Sequence, residues 1–319
     1  MVLQTRAGGI ATSTVLAALT VGTDCSGMDS PLMALRNLNV AVDHRFSSDI
    51  CRHAEATLLA NWQPAMFYRD VVARDCRSVD AVSFYAAGFP CQPFSQAGLQ
   101  QGFADEQGRG GILFHLLAYI RVHAPRAFLL ENVKGLMLMS GGACFRAVLE
   151  ALQGLDAYIV HWCLLDTQDH GVPHRRPRLY FAGIRKDCAT GTFSWPKPIA
   201  RPSIERFLEP RRRRPADTDL PPLRQGTARV NVLAALAAIR ARGRDPLREP
   251  WLVDCDSSAG RMSFAFDVSP CLTSSRGNGH WITNRGRRMT KAEMMRLQGM
   301  PTPGPASLAW CPRLSWAGR

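Results

Sequence analysis

The chain has 319 residues, 46% hydrophobic and 20% charged, a globular composition long enough for one large and one smaller domain, and no apolar run approaches the ~20 residues needed to span a bilayer. A formal net charge of +13 points to a polyanionic partner, because phosphates attract clustered Lys and Arg and release counterions. Ten cysteines at irregular spacing, with no CxxC pair, exclude a zinc ribbon or small disulfide scaffold and suit mostly buried thiols in a reducing compartment. Residues 1–20 lack acidic side chains and hold one Arg, as a transit peptide can. Residues 16–23 nevertheless read as the first core strand, since a glycine-bearing loop follows directly. A helix over 31–38, a strand end at 45–47 and a helix over 51–61 come next, with Ala54, Leu58 and Leu59 on one face. Strands are predicted at 82–87, 127–130, 158–164 and 179–184, with helices at 111–122 and 145–152. This alternation implies a largely parallel sheet covered by helices on both faces, an α/β fold with ligands at the carboxyl ends of the strands.

The pattern changes near Arg185. Residues 185–250 hold 15 Lys and Arg against 7 Asp and Glu, so over half of the net charge sits in about one-fifth of the chain. Prolines and the run Arg211, Arg212, Arg213 and Arg214 allow a disordered linker, but a helical stretch at 230–242 favours a small folded, DNA-facing unit. Further on, 290–298 reads as a capped helix. Thr290 is its N-cap and Glu293 the returning acid of a capping box, with Gly299 and Pro301 as stop signals.

Three segments carry chemistry. Gly88-Phe89-Pro90-Cys91-Gln92-Pro93-Phe94-Ser95 follows a strand immediately, and a cysteine between two prolines at a sheet mouth is held on a fixed backbone where its thiolate can act as a nucleophile. Glu131-Asn132-Val133 places a carboxyl at the same sheet edge, either solvated or able to hold a proton beside a substrate ring. His174-Arg175-Arg176-Pro177-Arg178 leads into the strand at 179–184. With extended geometry, Arg176 and Arg178 point the same way, as suits a carbonyl oxygen and nearby anions. Taken alone, this last segment reads better as a surface basic cluster.

Together these segments resemble the cytosine-5 DNA methyltransferase family. Its Pro-Cys motif stands as Phe89-Pro90-Cys91-Gln92, its Glu-Asn-Val motif as Glu131-Asn132-Val133, and its arginine motif, usually Gln-x-Arg-x-Arg, as His174-Arg175-Arg176-Pro177-Arg178. The likeness includes Gly102-Phe103-Ala104-Asp105, Gly108-Arg109-Gly110 and Leu113-Phe114. It resumes at Ser269-Pro270-Cys271-Leu272-Thr273 and ends at Arg296-Leu297-Gln298-Gly299-Met300-Pro301. The motifs stand in the family's order.

The resemblance implies a Rossmann-like, S-adenosylmethionine-dependent methyltransferase sheet over 16–185 plus 270–301, with a small inserted basic target-recognition domain over 186–269. Cys91 would attack C6 of a flipped cytosine, Glu131 would protonate N3, and Arg178 would hold O2 with support from Arg176. The loop 92–110 would close over the base. The cofactor is expected against Asp24, Cys25, Ser26, Gly27 and Met28, with Asp49 on the ribose, Asp70 and Val71 near adenine, and Ile50, Pro90 and Leu113 completing the site. Two further glycines of the family's loop are replaced here by Asp29 and Ser30. Gln92, Ser95 and Arg211 to Arg214 are expected to contact duplex DNA. No metal is expected, and the enzyme is expected to act as a monomer, in the nucleus, the bacterial cytoplasm or an organelle.

The resemblance also implies a Gly-Asn segment beyond Pro301 that helps close the cofactor site. Residues 302–319 do not carry it, so an atypical, truncated tail is expected. That departure keeps a catalytically impaired DNA-binding homologue as one alternative. A tRNA cytosine-5 methyltransferase on the same fold is the other, although its Cys-Phe-Thr motif is absent and Phe-Pro precedes Cys91 as in DNA enzymes.

Overall fold

The computed structural model describes residues 17–90, 111–258 and 261–300. A seven-stranded sheet has the order β3-β2-β1-β4-β5-β7-β6. Its strands are β1 (Leu19–Asp24), β2 (Val42–Ser48), β3 (Met66–Tyr68), β4 (Phe84–Gly88), β5 (Ala127–Val133), β6 (Tyr158–Asp166) and β7 (Pro177–Arg185). The pairs from β3 through β5 are parallel, whereas β7 runs antiparallel to both β5 and β6. Only residues 167–176 join β6 to β7, too short a connection for the crossover of about a dozen residues that a parallel return needs. This is a mixed α/β sheet of the Rossmann-like kind that the resemblance implies.

The helices between strands are α1 (Ser30–Asn37), α2 (Arg52–Asn61), α3 (Ile112–His123) and α4 (Ala143–Gln153). The apolar side chains of α3 and α4, among them Leu116, Ile120, Val148 and Leu152, pack with Phe46, Tyr85, Phe128, Leu130, Leu179 and Phe181 of the sheet. Gly22 and Gly183 are required by this packing. A Cβ on Gly22 would lie 2.2 Å from the Phe46 ring, and one on Gly183 would lie 2.0 Å from Phe128. On α2, Ala54 and Leu58 are buried as expected, but Leu59 is exposed. Thr57 takes its place on the buried face, because 54, 57 and 58 follow the helical repeat. Strand order reverses between β1 and β4, so their carboxyl ends flank the crevice where such sheets bind ligands.

A second, four-stranded antiparallel sheet has the order β11-β10-β8-β9, from β8 (Trp251–Val253), β9 (Phe264–Phe266), β10 (Trp281–Ile282) and β11 (Arg287–Arg288). Successive residues face opposite sides of it. Val253 and Trp281 pack on α5 (Gly226–Arg240) through Ala228, Val232, Ala235 and Leu236. Leu252 and Ile282 pack on the other side against Ile204, Leu208, Leu272, Met289, Met294 and Leu297. The last two belong to α6 (Lys291–Arg296) and its end. Leu272, Ile282, Met289, Met294 and Leu297, from a stretch the sequence groups with the larger sheet, thus pack in the core of this smaller unit.

The capping box of α6 is complete: Thr290 Oγ1 accepts from the Glu293 N–H, and Glu293 Oε2 accepts from the Thr290 N–H. Glu293 is fully buried. Burial pushes its carboxyl up, but two bonds from Arg287 and the N–H groups of Thr290 and Glu209 outweigh that and hold it below the usual range.

Candidate active site

Gly88 ends β4 and pairs with Glu131 on β5. Phe89 is buried, and the Asn132 side-chain amide donates to its carbonyl at 2.9 Å. The backbone that leads into Pro90 and Cys91 is therefore clamped from β5. Across the sheet, Arg178 on β7 pairs with Val133, and Tyr180 pairs with Glu131. Arg178 Nε donates to Glu131 Oε1 at 2.8 Å, with side-chain exposures of 13% and 32%. Both groups are enclosed on the protein side yet reachable from the crevice. The second carboxylate oxygen, Oε2, lies 3.6 Å from where a Cβ on Gly88 would stand, toward the β4 end.

Arg176 sits two residues before Arg178, on the same face of an extended segment. Its N–H donates to Asp166 Oδ1 at 2.8 Å, and its Nη1 donates to the Leu272 carbonyl at 3.4 Å. Burial, followed by the like charge of Arg178, pulls its guanidinium below the ordinary value. Tyr180 continues the same face, where burial and then the charge of Glu131 push its phenol up.

The second part of the crevice is the β1–α1 loop. Cys25, Gly27 and Asp29 all have positive φ, at 49°, 55° and 59°. Asp29 thus adopts the left-handed conformation for which the family pattern supplies glycine, and Asp is among the few side chains that tolerate it. Asp49, just beyond β2, accepts from the Gly27 N–H at 2.8 Å through Oδ2 and from the Cys51 N–H at 2.8 Å through Oδ1. Ser26 is stitched to β2 by its own N–H on the Ser48 carbonyl and by the Ser48 N–H on its Oγ. Trp62 Nε1 holds the Met28 carbonyl at 3.1 Å. A Cβ on Gly27 would meet nothing within 4 Å, so space is open over the loop, and Ile50 beside it is 79% exposed.

With this geometry in view, the profile of the C-5 cytosine-specific DNA methylase family matches residues 25–228. Type II methyltransferase M.NgoBI of Neisseria gonorrhoeae is 35% identical over 260 residues, spanning 80% of this chain and 75% of that protein. Type II methyltransferase M.HaeII of Haemophilus aegyptius is 31% identical over 261 residues, spanning 80% and 74%. The chain belongs to the C-5 cytosine-specific DNA methylase family. A solved structure of a prophage-encoded E. coli protein, named as a DNA modification methyltransferase, superposes with a TM-score of 0.56. It covers 89% of each chain at 17% identity, a likeness of fold.

Within this methylase, Glu131, Arg176 and Arg178 come together as the sequence leads one to expect. Cys91, Gln92, Ser95 and the loop that carries them lie outside the described residues, as do residues 301–319. Several expected cofactor residues have other commitments. Asp24 is fully buried. Its carboxylate accepts two bonds from Arg74 and one each from Ser48 and the Tyr85 hydroxyl, so its side chain anchors the sheet rather than facing a ligand. Val71 and Leu113 are enclosed in the apolar core, which removes their side chains from the crevice. Asp70 accepts from the Val72 N–H in a local turn. Burial and the adjacent Asp24 and Asp49 push the Cys25 thiol to about 12, so it stays protonated. Pro90 is half-buried at the β4 end.

The basic run is also partly spent. Arg213 makes a two-pronged pair with Asp219, and Arg211 holds the Arg248 carbonyl. Arg212 and Arg214 are exposed. Among the described residues no cluster of His, Cys, Asp and Glu could hold a metal, and no helix is long and apolar enough to cross a membrane.

Sequence reasoning missed Arg74 and Tyr180, and named Asn132 within a motif without giving it a role. Arg74 is enclosed by Phe46, Tyr68 and Tyr119, with its guanidinium carbon 5.1–5.9 Å from their ring centres. Nothing local in the sequence signals that role. Tyr180 was findable from its two-residue spacing to Arg178.

Proposed function

We propose that the chain transfers a methyl group from S-adenosylmethionine to C5 of a cytosine rotated out of duplex DNA, through a covalent bond to Cys91. The observation that carries this reading is the Glu131–Arg178 pair, 2.8 Å apart at the sheet edge, with Glu131 directly opposite Gly88, which stands three residues before Cys91. Cytosine C5 is a poor nucleophile until a thiolate adds at C6 and makes it enamine-like. The Cys91 thiolate forms that bond. Glu131 delivers a proton to N3 as charge develops there, and Arg178 donates to the O2 carbonyl. Arg176, fixed by Asp166 and Leu272, walls the pocket behind Arg178. After methylation, loss of the C5 proton, elimination of Cys91 as its thiolate and return of the N3 proton to Glu131 release the methylated base.

The β1–α1 loop fits the donor. The open space over Gly27, the exposed apolar face of Ile50 and the partly exposed Asp49 carboxylate suit a glycine-loop approach, an adenine face and ribose hydroxyls. The bound donor supplies an electrophilic methyl on a sulfonium. Gly27, Met28, Asp49 and Ile50 would hold it, with Cys25 and Ser26 contributing backbone and Asp24 acting from below. The smaller unit, taken as residues 199–300, reads the DNA target, with Arg212 and Arg214 free to meet phosphates.

The test is capture of the covalent adduct. Purified protein is incubated with S-adenosylmethionine and duplex DNA carrying 5-fluorocytosine, whose fluorine blocks the final elimination. A denaturation-resistant protein–DNA complex is expected for wild type and not for Cys91→Ser, and only with the cofactor. Absence of an adduct across a varied DNA pool, with fold and DNA binding intact, would refute the reading.

A further inference from the structure

His174 stands where the family resemblance expects Gln, and it is wholly buried. The Leu272 N–H donates to its Nε2 at 3.0 Å, so that nitrogen must carry a lone pair. The ring proton is therefore on Nδ1, which donates to the Leu297 carbonyl at 3.1 Å. One neutral tautomer makes both bonds. Burial and the neighbouring Arg176 keep the ring neutral, at about 3.

The backbone around it is fixed as well. The Arg175 N–H donates to the Ser269 carbonyl at 2.9 Å, and the Ser269 N–H donates to the Pro173 carbonyl at 2.8 Å. Thr167 Oγ1 donates to the carbonyl of His174 itself. Two residues on, Arg176 Nη1 donates to the Leu272 carbonyl. The Leu272 residue is thus gripped at its N–H by His174 and at its C=O by Arg176. Its side chain lies in the core of the smaller unit beside Met294 and Leu297. A continuous path of contacts runs from that core through Leu272 and His174 to the start of β7, and from there to Arg178 and Glu131.

We propose that His174 is a positioning residue that sets Arg176 and Arg178 from the seat of the smaller unit. It uses one donor and one acceptor on an uncharged side chain. The inference rests on the proposed reaction, because it presumes that those arginines meet the substrate. A Gln side chain offers the same donor and acceptor without a titratable ring, which accounts for the exchange of Gln for His at this place.

The test compares wild type, His174→Gln and His174→Leu in steady-state methylation of duplex DNA, with cofactor affinity measured by calorimetry. A displacement of about 1 Å at Arg178 costs on the order of 100-fold in rate, so His174→Leu is expected to lose kcat by that order with cofactor affinity unchanged. His174→Gln is expected to restore kcat. Equal kcat in all three proteins overturns the proposal, as does a glutamine variant as slow as the leucine one.

If His174→Leu does not fold, His174→Glu carries the test. Its carboxylate accepts from Leu272 but opposes the Leu297 carbonyl until protonated, so its kcat rises on acidification relative to wild type. Parallel pH profiles overturn the proposal. A wild-type protein that methylates no DNA overturns the underlying reading, and this inference with it. An active wild type with indifferent variants overturns the inference alone.

Discussion

Asp29→Asn is expected to leave stability little changed near pH 3.8, to raise it progressively as pH rises from there to about 7, and to add little more above that. Asp29 Oδ2 accepts from Ser47 at 2.5 Å and Thr23 at 3.2 Å, while Oδ1 is buried without a partner. Burial pushes the carboxyl from 3.8 to about 7; the Ser47 and Thr23 hydroxyls oppose that shift and lose, and the charge of Asp24 adds to it. A carboxyl raised in the folded state favours the protonated form. The stability it contributes is whole below about 3.8 and is lost as pH rises through about 7. At 1.36 kcal/mol per pH unit, the gap between 3.8 and 7 corresponds to about 4 kcal/mol.

His44, whose Nε2 is 3.5 Å from Oδ2, does not compensate, since burial holds its imidazole neutral at about 4. Its titration in the unfolded chain is common to both proteins and cancels in the difference. Asn also tolerates the left-handed backbone at this position. Denaturant unfolding at pH 5, 6, 7 and 8 measures the difference directly. A difference independent of pH, or one that favours wild type at pH 8, would show that the buried carboxyl is not the protonated group described.

Arg74→Leu leaves the Asp24 carboxylate buried without its cation and is expected to cost about 3–5 kcal/mol of stability in denaturant unfolding. A loss below about 1 kcal/mol would mean that Ser48 and Tyr85 suffice to hold that charge. Asn132→Ala removes the donor to the Phe89 carbonyl and is expected to cost about 1–3 kcal/mol. It should also slow formation of the 5-fluorocytosine adduct more than it weakens cofactor binding, and equal effects on both would refute its role as a clamp on the nucleophile's backbone.

The alternation of strands and helices was legible in the sequence, as were the capping box of Thr290 and Glu293 and the convergence of Glu131 with Arg178. These features depend on short-range spacing. The antiparallel course of β7 was not legible, because hydrophobic periodicity carries no strand direction. β5 was read as ending at Leu130 but runs to Val133, since Glu131, which pairs with Arg178, and Asn132, buried on the Phe89 carbonyl, break an apolar pattern. Asp24 was taken for a ligand because a carboxylate at a strand end looks the same whether it faces solvent or an arginine. The arginine that decides it lies 50 positions away. Leu113 and Val71 turn their side chains into the core, where apolar residues beside a binding loop are most often found. The place of residues 272–297 in the smaller unit depends on packing against residues 204–208 and 252, which no local signal announces.

The Glu131–Arg178 pair also bears on how a base would be read on the proposed mechanism. Cytosine presents O2 and N3 side by side, one a carbonyl acceptor and the other a ring nitrogen that becomes basic as the thiolate adds. A guanidinium and a carboxyl already 2.8 Å apart offer a donor to the first and a proton source to the second, without either side chain searching for its place. Because both lie on paired strands of one sheet, their separation is set by β5–β7 register rather than by a loop. The proposed nucleophile, Cys91, comes two residues after Phe89, which is buried at the end of β4 and whose carbonyl Asn132 holds. On that mechanism the sheet supplies a rigid half that recognises the ring edge, and Cys91 attacks the ring from the segment that follows β4. A lesion in the rigid half should impair every cytosine substrate alike, whereas discrimination between DNA sequences should vary with residues of the smaller unit, which touches the rigid half through Leu272.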